Sequence, residues 1–168
     1  MKIFLILLLT SLSFSLDFFN LKESNTSFAS IELNIGDINI ESNNEYHNLI
    51  SSSDGKTQVF GEPELPTYSF NYGIDRDKEY SVEIIYNEYD IHENINLFPS
   101  QPLSKIGVEK LFVKNENLYK SDILYPESNY NVRRMSMRGY ELLNIEVIPF
   151  EYNALTKELK IYNNLEIV

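Results

Sequence analysis

The sequence predicts an all-β domain, an antiparallel β-sandwich of about nine to eleven short strands. Three observations predict it. Apolar residues recur at every second position in short runs, and turn residues separate the runs at roughly 8–12-residue spacing. The chain has 12 Tyr and 10 Phe, which suit a pleated, half-buried surface. Alanine, the strongest helix former, occurs only at Ala29 and Ala154, and no segment keeps a helical period. The length of 168 residues suits one domain, and a hydrophobic fraction of 43% can fill its core. There is no internal repeat.

The elements follow in order. Met1-Lys2, the apolar run Ile3 to Leu9 and the small residues Ser13 and Ser15 form the pattern of a secretory signal, with cleavage expected after Ser15. The run is far short of the roughly 20 residues that span a bilayer, so a membrane anchor is disfavoured. Residues 16–27 are expected to be a flexible N-terminal segment and 28–168 the folded β domain. Ile31, Leu33 and Ile35, then Ile38 and Ile40, alternate around Gly36-Asp37 and read as a hairpin. Asn43-Asn44 is a second turn before a strand at Tyr46–Ile50, and a loop centred on Asp54-Gly55 follows.

Gly61-Glu62-Pro63-Glu64-Leu65-Pro66 is a stiff, extended approach to the next strand, because each proline fixes its own φ and restricts the residue before it. Tyr68, Phe70 and Tyr72 share one parity. Tyr80 to Ile91 alternates with a slip near Asn87-Glu88, which a bulge or a strand covered on both faces would produce. Between Pro99 and Tyr119 the periodicity disappears, and a long irregular connection in a compact domain is usually functional or disordered. Val108 to Val113 is read as a short strand or helical turn. Leu143, Ile145 and Val147 form a strand stopped by Pro149. Tyr152-Asn153-Ala154 opens a turn, Leu159 and Ile161 form a strand, and Asn163-Asn164 is expected to turn again. The alternation runs to Val168, which suggests a truncated last strand.

Charge and chemistry narrow the function. The formal net charge is −11, and without Lys2 the remaining 13 basic residues face 25 acidic ones, a net −12. No basic run supplies a nucleic-acid or anionic-membrane surface. Without cysteine there is no disulfide, thiolate metal site or cysteine nucleophile in this chain. His47 and His92 lack a Ser-His-Asp context and read as surface residues. Glu62 and Glu64, or Asp75 and Asp77, lack a calcium-loop pattern and read as solvated acids. No metal or cofactor is expected. The tyrosines follow the parity of buried faces, which favours core packing over a sugar-binding platform. Arg133-Arg134 reads as the polar part of a strand rather than a dibasic cleavage site.

Three segments together resemble the pro-domain of gingipain-type cysteine peptidases, peptidase family C25. They are Gly61-Glu62-Pro63-Glu64-Leu65-Pro66; Leu97-Phe98-Pro99-Ser100; and Tyr125-Pro126 with Arg138-Gly139-Tyr140, Val147 to Asn153 and Thr156 to Tyr162. The family's proline after Tyr-Asn is replaced here by Ala154. The resemblance covers roughly residues 28–168. It implies that the chain is not the enzyme. It implies instead a secreted, bacterial β-rich pro-domain, exported through the periplasm, that assists folding of a cognate cysteine peptidase domain and occludes its cleft. It further implies that such peptidases favour Arg or Lys before the scissile bond. A blocking loop then offers a basic side chain, and Lys105, flanked by Ser104 and Ile106, is the expected pocket-filling residue, with Lys110 and Lys114 behind it. Gly61, Pro63, Leu65, Pro66, Tyr152 and Asn153 are the expected framework. A secreted β-sandwich that binds carbohydrate or protein is the alternative reading, and a hydrolase with a carboxylate pair ranks below both.

Overall fold

The computed structural model describes residues 18–25, 27–53, 55–103 and 111–168. The expected signal peptide lies outside them. Among the described residues the chain forms twelve strands and one helical turn. The strands are β1 (Phe19–Ser24), β2 (Ala29–Asn34), β3 (Asn39–Asn43), β4 (Tyr46–Ile50), β5 (Gly55–Lys56), β6 (Pro66–Ile74), β7 (Ile84–His92), β8 (Leu124–Tyr125), β9 (Tyr130–Met137), β10 (Tyr140–Val147), β11 (Phe150–Asn153) and β12 (Glu158–Ile167). The helical turn α1 is Glu116–Tyr119. All strand pairs are antiparallel.

β12 is the centre of the larger sheet. Along one edge it pairs with β7 over its length. Its other edge is shared, with β11 beside Glu158–Ile161 and β2 beside Asn164–Ile167. β1 extends this sheet beyond β2, and β8 extends it beyond β11. The smaller sheet runs β5-β6-β10-β9. The parity in the sequence sets what faces inward. Tyr68, Leu143, Ile145 and Val147 of the smaller sheet meet Ile31, Leu33, Phe150, Leu159, Ile161 and Leu165 of the larger one in a single buried cluster. A two-residue turn at Arg138-Gly139, with both φ positive at 53° and 87°, joins β9 to β10. Positive φ at both positions gives the turn a twist that matches the strands.

Arg133 and Arg134 lie within β9, paired along its length to β10. Arg134 donates to the carbonyls of Asp75, Arg76 and Lys78 and approaches Glu141, so it holds the turn between β6 and β7.

Three local readings change, and the expected slip near Asn87 holds. Gly36-Asp37 does not close a hairpin: β2 pairs with β1 and β12, while β3 pairs with β4. Backbone pairing is blind to which apolar run lies next in sequence, and β12 offers β2 the deeper burial. The slip near Asn87 is real, since β7 shifts register against β12 between Tyr86 and Tyr89. Its partner Asn163-Asn164 is not a turn, because β12 runs straight through it. Asn164 is held by Glu32 and Asn87, and Asn163 by Asp90, so polar neighbours on adjacent strands satisfy both amides. Residues 19–24 are not a loose tail. β1 reaches back over the core, with Phe19 4.5 Å from Phe70 and Phe18 edge-on to Tyr68 at 5.1 Å. A solvent-facing edge strand shows little apolar alternation, which hides it in the sequence.

Candidate functional site

Gly61 to Pro66 is more than an approach to β6. It is a buried rung between two other segments. On one side Thr57 holds it: the Thr57 N–H donates to the Leu65 carbonyl (2.8 Å), and the Thr57 hydroxyl bridges the Pro63 carbonyl (3.0 Å) and the Leu65 N–H (2.9 Å). On the other side it pairs with Phe98–Ser100. Pro63 and Pro99 stand opposite each other as an antiparallel bridge. The bonds flank them, from Glu64 N–H to the Phe98 carbonyl (2.9 Å) and from Ser100 N–H to the Glu62 carbonyl (2.7 Å). That is the non-hydrogen-bonded position of an antiparallel ladder, where no N–H is required. Both prolines therefore stiffen the rung without orphaning an acceptor.

The rung fixes both feet of the irregular connection that follows Pro99. Gly61 donates its N–H to the Ser100 carbonyl and accepts at its own carbonyl from the Asn115 N–H, each at 2.8 Å. The φ of Gly61 is +87°, and a Cβ there would stand 3.0 Å from the Asn115 nitrogen and 3.2 Å from Val113 Cγ1. Only glycine lets the second foot come this close. Asn115 then caps α1 by accepting from Leu118 N–H (3.3 Å), and its amide nitrogen donates to Glu62 (3.4 Å). The feet are also tied directly. The Gln101 carboxamide donates to the Val113 carbonyl (2.7 Å) and accepts from the Val113 N–H (2.8 Å).

Two buried tyrosines support the first foot from below. The Tyr152 hydroxyl donates to the Ile95 carbonyl (3.0 Å) and accepts from Leu97 N–H (3.3 Å), and Tyr119 donates to the Leu97 carbonyl (2.8 Å). His47 adds a ring nitrogen that accepts from Asn96 N–H (3.0 Å), so it is a structural residue of β4. Asn153 closes its turn by accepting from Leu155 and Thr156 N–H, so Ala154 in place of proline leaves the turn intact.

Burial pushes the phenols of Tyr119 and Tyr152 up and that of Tyr86 up to about 12, so all three stay protonated at neutral pH. A phenol with a raised folded-state pKa gives stability that is full below its ordinary value of 10.0 and lost as pH climbs through the folded value. The domain should therefore lose stability from about pH 10 upward, with unfolding and tyrosinate absorbance rising together. A smooth titration of every tyrosine near pH 10 without unfolding would contradict this.

The expected framework residues thus converge on one place. Gly61, Pro63, Leu65 and Pro66 form the rung, Tyr152 supports Ile95–Leu97, and Asn153 holds the neighbouring turn. Ser104, Lys105, Ile106 and Lys110 lie outside the described residues. Lys114 is turned inward, 4.6 Å from the Tyr119 ring centroid and 5.6 Å from that of Tyr46. Residues 111–113 form neither strand nor helix. Sequence reasoning missed Gln101 and Asn115. Asn115-Glu116 carries a helix-start signal, a capping amide followed by an acid. Gln101 carries none, since its partner is backbone 12 residues away. Around the feet the surface is apolar: Leu103 is 98% exposed and Leu111 80%, with Phe60 and Phe112 also exposed.

The Propeptide_C25 family model matches residues 17–168. No curated protein matches the chain. Two solved structures from Porphyromonas gingivalis share its fold. One is a complex of RgpB pro- and mature domains, with a TM-score of 0.79 and 15% identity over 89% of this chain and 83% of that one. The other concerns the zymogenic latency of gingipain K, with a TM-score of 0.72 and 15% identity over 89% of this chain and 90% of that one.

Proposed function

The chain belongs to the Propeptide_C25 family, and from that premise we propose that it holds the gingipain-type cysteine peptidase of its own precursor inactive and assists its folding. It is the propeptide and not the peptidase, and it has no cysteine to serve as nucleophile. The observation that carries the inhibitory reading is the doubly anchored connection between Gln101 and Val113. A segment that blocks a cleft must arrive with its ends fixed, because ordering it on binding would subtract from affinity. Here the rung, the Gln101 clip and the Asn115 cap fix both ends in advance.

The exposed side chains beside the feet, Leu103 and Leu111 above all, supply apolar area for a partner. Lys105 is the residue offered to an acidic pocket, as a charged donor to a carboxylate. The domain is made with a signal peptide over residues 1–15, passes through the periplasm of a bacterium, and acts outside the cell or at its surface.

The test is to assay the chain against a gingipain-type peptidase that cuts after Lys, beside Lys105→Ala. Wild type should inhibit tightly, and the substitution should weaken inhibition about a hundredfold, the scale of a lost desolvated charge contact. Equal inhibition by both would remove Lys105 from this role. No inhibition by wild type would remove the inhibitory reading.

A further inference from the structure

The connection between β6 and β7, Asp75 to Glu83, crosses the surface without strand or helix and carries two basic residues, Arg76 and Lys78. Their side chains are 69% and 50% exposed. Exposed connections of this kind are where peptidases nick a folded chain. The bonds Arg76-Asp77 and Lys78-Glu79 are thus the ones a peptidase that cuts after basic residues would meet here. We infer that Arg134 withholds these two bonds from such a peptidase by holding the carbonyls that hydrolysis must use. The inference rests on the reading above only in that the chain is made to meet a peptidase.

From β9, one guanidinium spans three carbonyls of the connection. Arg134 Nη1 donates to the Lys78 carbonyl at 3.2 Å, and Nη2 donates to the Asp75 carbonyl at 3.4 Å and to that of Arg76. Arg134 Nε lies 3.5 Å from one carboxylate oxygen of Glu141, and Arg76 Nη2 lies 3.7 Å from the other. Lys78 Nζ pairs with Asp75 at 2.7 Å, and the Asp75 N–H donates to the Tyr80 hydroxyl at 2.8 Å. Each basic residue therefore has both its side chain and its carbonyl engaged. A surface ion pair alone would hold little. The planar fork of arginine differs, because its fixed donors serve several acceptors at once, as neither an ammonium nor an amide can.

Hydrolysis adds one water across the peptide bond. The C–N bond breaks, Arg76 or Lys78 keeps a new carboxylate, and Asp77 or Glu79 keeps a new amine. Beforehand the scissile carbonyl oxygen must turn toward the peptidase's oxyanion donors. Arg134 competes for that oxygen, while Glu141 and Asp75 compete for the basic side chains. Cutting waits until this clasp opens, so its rate follows the opened fraction.

Arg134→Gln tests this, with Arg133→Gln as the control that removes the neighbouring charge of the same strand. Each chain is incubated with trypsin, which cuts after Lys and Arg. Fragment masses and the melting temperature are followed. Asp77 and Glu79 slow trypsin alike in every chain, so the ratio between chains is what counts. Cutting after Arg76 and Lys78 should be about tenfold faster in Arg134→Gln than in wild type, with an almost unchanged melting temperature. Arg133→Gln should match wild type. Adding Arg76→Gln and Lys78→Gln to Arg134→Gln should remove the extra fragments. Equal cutting of wild type and Arg134→Gln would overturn the inference. So would faster cutting of Arg134→Gln at all basic residues alike, which marks general unfolding, or an equal gain in Arg133→Gln. The same chains are assayed against the gingipain-type peptidase. If wild type does not inhibit it, the inhibitory reading falls, and the trypsin fragments still decide the role of Arg134.

Discussion

Tyr152→Ala should destabilise the domain by about 4 kcal/mol, the cost of emptying a fully buried aromatic site. The ring is buried in the cluster that joins the two sheets. Its hydroxyl also reaches the Ile95 carbonyl and the Leu97 N–H, which sit under the first foot of the long connection. Tyr152→Phe separates the two contributions. It keeps the ring and strands two buried backbone groups, at a cost of about 1–3 kcal/mol. Urea unfolding of the three chains measures both. A phenylalanine variant as stable as wild type would show that the hydroxyl bridge contributes nothing. The same variant should loosen Leu97 and its neighbours, which hydrogen exchange at those amides would register as faster opening.

Gly61→Ala should cost about 2–4 kcal/mol, from left-handed strain and overpacking together. The strain arises from φ +87°, and the overpacking from a Cβ placed 3.0 Å from the Asn115 backbone nitrogen. Gly139 is the control. It has the same φ of +87°, but nothing lies within 4 Å of a Cβ there. Gly139→Ala should therefore show the strain alone, about 1–2 kcal/mol. The difference between the two reports the close approach of the second foot. Equal losses would mean that Val113–Asn115 shifts away without cost, and the rung would not then be what positions it. If the rung does position it, Gly61→Ala should also weaken inhibition of the peptidase, while Gly139→Ala should not.

Parts of this architecture were legible in the residues. Tyr68, Phe70 and Tyr72 share a parity because every second side chain of a strand faces the core, and the structure buries Tyr68 and half-buries Phe70 and Tyr72 while exposing Ser69 and Asn71. The slip at Asn87 marked a bulge for the same reason. Gly61 to Pro66 was legible as extended and stiff, since proline acts on its own residue and the one before it. Asn115 carried a local capping signal that went unused.

Other parts had no local trace. Gly36-Asp37 looked like a hairpin turn because adjacent runs usually pair. The strand that wins β2 lies more than a hundred residues later, and its backbone groups carry no mark of identity. β1 was hidden because its outward residues, Leu21 apart, are polar. The amides of Asn163 and Asn164 looked like a turn until strands on both sides of β12 supplied partners for them.

The sequence by itself determined the class of fold, the inward faces, the absence of a cysteine nucleophile and the stiffness of Gly61–Pro66. These depend on side-chain identity and on backbone limits felt within a few residues. Only the tertiary structure decided that β12 is the central strand. It also decided that Pro63 meets Pro99 where neither needs an N–H, and that Gln101 and Gly61 fix both feet of one connection. Those outcomes rest on hydrogen bonds between backbone groups far apart in the chain, and such groups are alike at nearly every residue.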